Sequence, residues 1–222
     1  MNALRLALTK GRLERSCREL LKSIGYDCSP LDDPGRRLIH ELTPPAGSSL
    51  PRLEAVLAKA PDVITYVAHG VCGLGITGKD TIMEQGGSFY EMLDLGLGRC
   101  RFALATLGGE DFYAGHKRRR VATKYPAVAR QHLAKRGVDA EIIRIEGSVE
   151  LAPLLGLADA IVDIVETGDT LKANGLVPTE DIHRISARLI VNVAAMKLRR
   201  AEVLAFCRAM EGAVSDAGNS QG

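Results

Sequence analysis

Tryptophan is absent from the sequence, and aromatic residues make up only 4% of its 222 positions. Proteins that stack single-stranded bases need aromatic side chains, so this scarcity argues against that mode of nucleic-acid binding. A marked basic excess is also missing, because 29 lysines and arginines face 27 aspartates and glutamates, a formal net charge of +2. Binding that depends on neutralising phosphates is therefore not expected, and we predict no nucleic-acid partner.

Long apolar runs are lacking as well. No stretch approaches the roughly 18 consecutive apolar residues that suggest a membrane-spanning helix, so we expect no membrane partner. The segment Met1–Gly11 has no charged region followed by a long apolar run, which is the pattern of a secretory signal. With 46% hydrophobic and 25% charged residues, the composition is that of a folded globular protein and excludes intrinsic disorder.

The cysteines form no recognisable framework. There are five of them, an odd number, and no two are spaced as C-x-x-C. This spacing argues against a set of disulfides and against a structural zinc site. We expect a reduced, cytoplasmic protein in which most cysteines are small buried apolar side chains.

Glycine is abundant, with 23 residues, and apolar patterns alternate along the chain. Leu4, Leu6 and Leu8 predict a first strand, and the segment from Leu13 to Ile24 has the spacing of one helical face. The alternation continues and indicates an α/β fold with largely parallel sheets. Further expected strands are 74–77, 100–106, 138–145, 160–165 and parts of 182–193, and further expected helices are 53–57, 81–85, 126–136, 149–155 and 203–210.

Two glycine-containing segments predict crossings between two lobes, one at Gly86–Gly98 and one near Gly175–Pro178. Two crossings make the first lobe discontinuous, closed by the C-terminal part of the chain. Residues 30–51 are interpreted as a hairpin or an irregular excursion, and 63–67 as a strand or the start of a helix. The predicted lobes are 1–92 with 178–212 for lobe I and 93–177 for lobe II, followed by a flexible tail at 213–222.

A G-x-G-x-x-G pattern occurs at Gly73–Gly78. Dinucleotide binding needs these glycines in a turn between a strand and a helix, whereas here Leu74–Thr77 has the pattern of the strand itself. The alternative is that the glycines serve close packing and a turn. We favour the second interpretation, although the turn that follows lies at the edge of a sheet where α/β proteins bind ligands.

The segment Ala160–Leu171 combines an apolar strand, a loop with hydroxyls and a glycine, and the start of a helix. Free backbone N–H groups at a helix start, the small Gly168, and the hydroxyls of Thr167 and Thr170 all suit a phosphate monoester. Asp163 and Glu166 suit ribose hydroxyls or a bridging Mg²⁺. The residues alone leave two alternatives open, a phosphate site and a helix that Thr167 or Asp169 merely caps.

The longer stretch Glu150–Leu171 closely resembles the signature of the ATP phosphoribosyltransferases, without a gap. The resemblance extends over nearly the whole chain to about Met210. Five other blocks carry it: 8–13, 74–80, 100–105, 121–126 and 185–192.

This resemblance implies an enzyme of the first step of histidine biosynthesis. The family transfers phosphoribosyl from phosphoribosyl pyrophosphate to N1 of the ATP adenine, releases pyrophosphate and requires Mg²⁺. Its fold is two-lobed and similar to the type II periplasmic binding proteins, with the active site in the cleft between the lobes. A non-catalytic binding module of the same fold, or a non-catalytic subunit of a complex, is the alternative.

The resemblance also implies roles for individual residues. The 5′-phosphate is expected at Thr167, Gly168, Asp169 and Thr170, with Asp169 contributing its backbone N–H. The catalytic residues are expected to be Arg12 and Asp163. Asp163 and Glu166 are also expected to bind phosphoribosyl pyrophosphate. The residues expected to bind ATP or pyrophosphate are Lys10, Gly11, Arg12, Gly78, Lys79, Asp80 and Arg101, and Lys124 and Glu146 are expected nearby. Metal ligands are not assigned.

Two positions depart from the family pattern, since Gly73 and His69 stand where acidic residues are common. The length corresponds to the short form of the family, which works with a regulatory subunit related to histidyl-tRNA synthetase, commonly as a hetero-octamer. We therefore expect such a partner. The basic run His116–Arg120 is interpreted as a solvated turn, with a subunit contact or attraction of polyphosphates as alternatives.

Overall fold

The structure is a computed structural model that describes residues 3–33, 35–115 and 118–219. His116 and Lys117 of the basic run and residues 220–222 of the predicted tail lie outside these ranges. The strands are β1 (Leu4–Thr9), β2 (Ile39–Leu42), β3 (Leu53–Ala58), β4 (Leu74–Gly78), β5 (Phe89–Asp94), β6 (Cys100–Leu107), β7 (Arg119–Thr123), β8 (Ala140–Arg144), β9 (Ala160–Val165), β10 (Leu176–Ile185) and β11 (Ala187–Asn192). The helices are α1 (Arg12–Ser23), α2 (Ala60–Ala68), α3 (Lys79–Gln85), α4 (Pro126–Lys135), α5 (Leu151–Leu154), α6 (Asp169–Ala173), α7 (Val193–Leu198) and α8 (Arg200–Asn219).

The first unit comprises Met1–Gly98 and Ser186–Gly222 and contains a six-stranded sheet in the order β2-β3-β1-β4-β11-β5. β1 runs parallel to both β3 and β4, whereas β11 is antiparallel to β4 and β5. One face is covered by α1 and α8, whose apolar side chains pack with those of β1 into a single cluster. Its members include Leu4, Leu6, Leu8, Cys17, Leu21, Val203, Phe206 and Met210.

The second unit comprises Arg99–Ile185 and contains a five-stranded sheet in the order β10-β6-β9-β7-β8. β9 runs parallel to β7 and antiparallel to β6, so its carboxyl end lies beside the amino end of β6. Ile161 and Val165 on β9 are buried in one cluster with Leu171 of α6. This packing fixes the direction of the loop that joins β9 to α6.

The α/β alternation is confirmed, but the expectation of largely parallel sheets is wrong, since five of the nine strand pairings in the described residues are antiparallel. One predicted element is also wrong. Residues 53–57 were expected to form a helix, but they belong to strand β3, between β1 and β2. Leu53, Ala55 and Leu57 are buried on one face, so tertiary pairing outweighs a local spacing that also suits a helix. Residues 63–67, interpreted as a strand or the start of a helix, belong to helix α2. Part of 30–51, interpreted as a hairpin or an irregular excursion, forms strand β2, which pairs antiparallel with β3.

The two crossings occur close to the predicted positions. The first unit ends at Gly98 rather than 92, and the chain returns at Ser186 rather than 178. The first difference arises because Gly86–Gly98 contains strand β5, and the second because β10 continues to Ile185 beside β6. Discontinuity of the first unit, expected from the two crossings, is present in the structure.

Helix α8 is longer than predicted. Residues 213–219, assigned to a flexible tail, continue the helix to Asn219. Ala213 and Val214 are partly buried against the core of the first unit, which explains the extra turns. Among the residues described, no helix combines the length and the apolar character that crossing a membrane requires.

All five cysteines are free thiols, and all but Cys100 are buried. Burial raises the pKa of the Cys17 thiol to about 12 and that of Cys72 to about 11. These thiols are therefore protonated at neutral pH and behave as the small apolar side chains predicted.

The Glu180 carboxylate on β10 contacts three side chains of the second unit. Its carboxylate accepts from the Tyr113 hydroxyl at 2.5 Å, pairs with Arg136, and lies 3.3 Å from His132 Nε2. Burial by itself would raise the pKa of Glu180, but the hydrogen bonds from Tyr113 and Arg136 and the charges of His132 and Arg136 outweigh it, so the pKa is lowered.

We expect a Glu180→Gln change to lower the free energy of unfolding by about 1–2 kcal/mol near neutral pH. A carboxylate with a lowered pKa stabilises the fold above the pKa of the unfolded state, and this contribution is lost as pH falls through the folded pKa. Urea unfolding at several pH values measures the difference. A difference that persists in strong acid would contradict the assignment.

Candidate functional site

The loop between β9 and α6 lines a solvent-open cavity of about 260 Å³. Gly168 occupies the N-cap position of α6 with φ +88°, in the left-handed region that favours glycine. Thr167 is not at the cap position, but its hydroxyl accepts from the N–H of Asp169, the first residue of the helix, at 3.4 Å. The two alternatives, a phosphate site and a helix start capped by Thr167, therefore both stay open. The cavity is lined by Glu150 and by residues 163–171.

Hydrogen bonds within the loop hold it in shape. The Thr167 hydroxyl donates to Asp169 Oδ2 at 2.8 Å, and the N–H of Lys172 donates to the Gly168 carbonyl at 3.0 Å. The side-chain amide of Asn174 donates to the Thr170 carbonyl at 2.8 Å. Thr170 itself is exposed at the start of the helix. A bound anion would have to draw the Thr167 hydroxyl away from the Asp169 carboxylate.

Asp163 lies near the end of β9, where its side chain lines the cavity and is largely buried. Burial raises the pKa of this carboxyl, and the nearby charge of Glu150 raises it further. The N–H of Ile164, which donates to Oδ1 at 2.8 Å, and the charge of Lys124 act in the opposite direction. A partly dehydrated carboxylate in a cavity is suited to accept hydrogen bonds from a sugar.

Glu150 is a cavity residue that sequence reasoning did not select. It precedes α5, and the fold brings it to Asp163 and the loop. Its position at the head of the stretch Glu150–Leu171 was the available signal. Lys124, expected nearby, is close enough to influence Asp163 electrostatically. Glu146 instead accepts from Arg144 at 2.7 Å, in a pair whose side chains are about two-thirds exposed.

Arg101 lies beside the start of the loop. In the antiparallel pairing of β6 with β9 it stands opposite Val165, the last residue before the loop. Its Nε donates to Asp181 Oδ1 of β10 at 2.5 Å. This pair holds the guanidinium at the edge of the sheet from which the loop emerges.

In the first unit, two predicted segments meet at one edge of the sheet. β1 and β4 are parallel neighbours, so the turn at Lys10 and Gly11 and the turn at Gly78 leave the same carboxyl edge. The Thr9 hydroxyl donates to the Ile76 carbonyl at 3.0 Å and ties the two strand ends together.

The turn after β1 leads directly into a helix. Gly11 has φ +98° at the N-cap of α1, and the N–H of Lys10 donates to the Ala58 carbonyl at 2.9 Å. Lys10 and Arg12 are both exposed at this edge, close to the first N–H groups of α1. Cations and helix N–H groups at one edge make it suited to an anion.

The turn after β4 is held more firmly. Gly78 ends β4, and the next residue, Lys79, pairs its ammonium with Glu91 at 2.5 Å. Asp80 follows in the first turn of α3 and accepts from the Thr81 hydroxyl at 3.4 Å. Since 74–78 is a strand, the interpretation of Gly73–Gly78 as a dinucleotide motif is excluded.

The two departures from the family pattern lie at the other end of β4. A Cβ at Gly73 would come within 2.6 Å of a methyl group of Leu4, so the glycine allows close packing. His69 ends α2, and its backbone N–H donates to the Thr65 carbonyl at 3.0 Å. Both positions therefore have local structural roles, away from the carboxyl edge.

Fold and site together define an α/β protein of two units, in which a cavity lies beside a glycine-capped helix start at the carboxyl end of a strand. A family model described as HisG, ATP phosphoribosyltransferase, matches residues 59–212. Relatives named ATP phosphoribosyltransferase are 55% identical over 201 residues in Clostridium kluyveri, covering 90% of this chain and 89% of the relative, and 54% identical over 198 residues in Clostridium acetobutylicum, covering 89% of each.

A solved structure, the ATP phosphoribosyl transferase (HisG:HisZ) complex from Thermotoga maritima, matches with a TM-score of 0.76 and 32% identity. The match covers 96% of this chain and 99% of that one. The chain belongs to the ATP phosphoribosyltransferase family, and it is a transferase of the first step of histidine biosynthesis. The resemblance and the two-unit α/β fold of periplasmic-binding-protein type are thereby confirmed, and the non-catalytic alternatives are not favoured.

Proposed function

We propose that the loop at residues 163–171 binds phosphoribosyl pyrophosphate during this transfer. The cavity of about 260 Å³ beside a glycine-capped helix start carries the proposal. Backbone N–H groups at 168–170, including that of Asp169, would meet the 5′-phosphate, and the Thr170 hydroxyl would donate to it. The Asp163 carboxylate would accept from the ribose hydroxyls, with Glu166 on the exposed side.

The reaction needs positioning and charge more than a protein nucleophile. Adenine N1 is itself the nucleophile that displaces pyrophosphate at ribose C1, through a transition state with oxocarbenium character. The ionised Asp163 would stabilise the developing positive charge on the sugar. Negative charge grows on the departing pyrophosphate, and we propose that the Arg12 guanidinium stabilises it. Lys10, Lys79 and Arg101 would supply further cationic contacts to the polyphosphates, with Gly11, Gly78 and Asp80 shaping the two turns.

We propose that the reaction uses Mg²⁺, and these residues are compatible with it. Within the described ranges, no group of three or more His, Cys, Asp or Glu side chains is arranged to hold a metal. Mg²⁺ in phosphate chemistry is commonly held by one or two carboxylates, waters and the substrate phosphates, and Asp163 and Glu150 provide such carboxylates. When bound, Mg²⁺ neutralises charge on the pyrophosphate.

We further propose a cytoplasmic enzyme that works with a regulatory subunit related to histidyl-tRNA synthetase, in a hetero-octamer. Support comes from the Thermotoga maritima structure, which is a complex of HisG with HisZ. The free thiols suit a reducing compartment.

The test is an assay of the purified protein with ATP, phosphoribosyl pyrophosphate and Mg²⁺, with and without the regulatory subunit. Formation of N1-(5-phosphoribosyl)-ATP is the expected result. Its absence in both cases would overturn the proposal. Light scattering of the mixed subunits measures whether an octamer forms.

A Thr170→Ala change is expected to raise the KM for phosphoribosyl pyrophosphate about tenfold, because one hydrogen bond to a charged phosphate is lost. Steady-state kinetics with each substrate varied in turn measure the effect, and the KM for ATP should change little. Thr179→Ala is the matched control, since that hydroxyl donates to the Leu104 carbonyl at 3.3 Å, outside the loop. An unchanged KM in Thr170→Ala would argue against the assigned loop.

A further inference from the structure

Arg188 of β11 lies at the centre of an ion network in the first unit. Its Nε is 2.9 Å from Glu91 Oε1, and its Nη1 pairs with the Asp94 carboxylate. Nη1 also donates to the Ser186 hydroxyl at 3.1 Å, which in turn donates to Asp94 at 2.6 Å. The Arg188 side chain is only 13% exposed. The contact of Nε with Glu91 is an ion pair without hydrogen-bond geometry, whereas Nη1 makes the hydrogen bond to Ser186. The guanidinium is thus held between two carboxylates in a partly dehydrated place, where ion pairs are weakly screened.

A bulge in β5 gives Glu91 its direction. β11 pairs Arg188 with Asp94, but the register shifts by one residue before Ile190, which pairs with Glu91. Since side chains alternate between faces, a regular ladder would point Glu91 to the face opposite Arg188. The bulge instead turns Glu91 to the same face as Arg188, and re-aiming a side chain is a recurrent use of β-bulges.

The second oxygen of Glu91 holds Lys79. Glu91 Oε2 is 2.5 Å from Lys79 Nζ, and the Lys79 side chain is 21% exposed. The backbone N–H of Lys79 donates to the Ser186 carbonyl at 2.9 Å. The ammonium of this residue is therefore attached to β5 and its backbone to Ser186, just before β11, whereas Lys10 at the same edge is exposed.

We infer that Arg188 is a positioning residue, which through Glu91 holds the Lys79 ammonium at the edge proposed to bind a polyphosphate. The inference rests on the role proposed for Lys79. A lysine has a flexible four-carbon stem, and ordering it beforehand reduces the entropy lost on binding. Arg188 also neutralises part of the negative charge of Glu91. Glu91 therefore neutralises less of the positive charge of Lys79, and more of that charge remains available to attract an anion.

The experiment compares Lys79→Met, Arg188→Met, Arg188→Lys and the double variant Lys79→Met/Arg188→Met in steady-state kinetics of the full-length enzyme. We expect Lys79→Met to raise the KM of one polyphosphate substrate. Arg188→Met should raise the same KM about tenfold with kcat changed less than about twofold, and Arg188→Lys should restore part of the loss. Because Arg188 acts through Lys79, the double variant should resemble Lys79→Met alone.

Arg199→Met is the matched control. Arg199 is 25% exposed and paired with Glu202, and it donates to the Ala3 carbonyl near the amino end of β1, away from the edge with Lys79. Thermal denaturation corrects for stability lost in either arginine variant. Two results would overturn the inference and leave the proposed function standing. One is a KM for Arg188→Met that equals the KM of Arg199→Met. The other is a double variant whose KM increase equals the product of the increases in the two single variants. An unchanged KM in Lys79→Met would overturn the proposed role of Lys79 and the inference with it.

Discussion

An Asp163→Asn enzyme is expected to lose about 10²–10³-fold in kcat/KM for phosphoribosyl pyrophosphate. The asparagine keeps the shape and one acceptor oxygen, but it cannot offer a negative charge to the developing oxocarbenium ion. Steady-state kinetics with phosphoribosyl pyrophosphate varied at saturating ATP measure the loss. Glu141→Gln is a useful comparison, since it removes an exposed carboxylate from β8 of the same unit, outside the cavity. Activity close to the parent in Asp163→Asn would overturn the role assigned to Asp163.

The same substitution should stabilise the fold by about 0.5–2 kcal/mol near neutral pH, because a neutral amide avoids burying a charge. The pKa of Asp163 is raised by burial, so the folded state binds more protons than the unfolded state across the interval between their pKa values. The parent protein therefore loses stability relative to the variant as pH rises through that interval. Thermal denaturation in mild acid and at neutral pH should show the gap widening towards neutral pH, and the reverse trend would contradict this account.

Gly168→Ala is expected to lower kcat/KM for phosphoribosyl pyrophosphate about 100-fold. The position has φ +88°, where a Cβ is strained, and relaxing that strain would move the N–H groups proposed to meet the phosphate. The nearest atom to an added Cβ is a Val165 methyl at 3.7 Å, so crowding within the protein is not the cause. Steady-state kinetics and unfolding measurements should be made on the same preparation.

The control for this variant is Gly156→Ala. Gly156 has φ +69° with nothing within 4 Å of an added Cβ, and it lies outside the loop. Both variants should lose about 1–2 kcal/mol of stability through backbone strain. Only Gly168→Ala should lose activity, so a similar kinetic loss in Gly156→Ala would mean that general destabilisation explains both.

The part of the site that was predictable from the sequence is local. The loop of residues 163–171 was recognisable because a buried strand, a glycine and a helix start follow one another within a few residues. The turns after β1 and β4 were recognisable for the same reason. The roles of these residues remain predictions, but the structure places each segment at the end of a strand.

The parts that were missed depend on long-range pairing. Glu91 meets Arg188 only because β11 inserts beside β5 with a one-residue shift, which no local pattern of residues encodes. Glu150 reaches Asp163 through the packing of α5, and 53–57 becomes a strand because β1 and β2 flank it. Local spacing predicts what a segment can form, and its neighbours in space select among the possibilities.

The position of β11 has a consequence for the order in which the molecule can be made. β11 lies between β4 and β5, and β5 is the edge strand of the sheet that the described residues form. During synthesis the ribosome produces all of the second unit before residues 187–192 emerge. The second unit is a continuous segment that can fold while the chain grows, whereas the sheet of the first unit must wait for its last strand. In the nascent chain, therefore, the edges of β4 and β5 stay open until residues 187–192 have been synthesised.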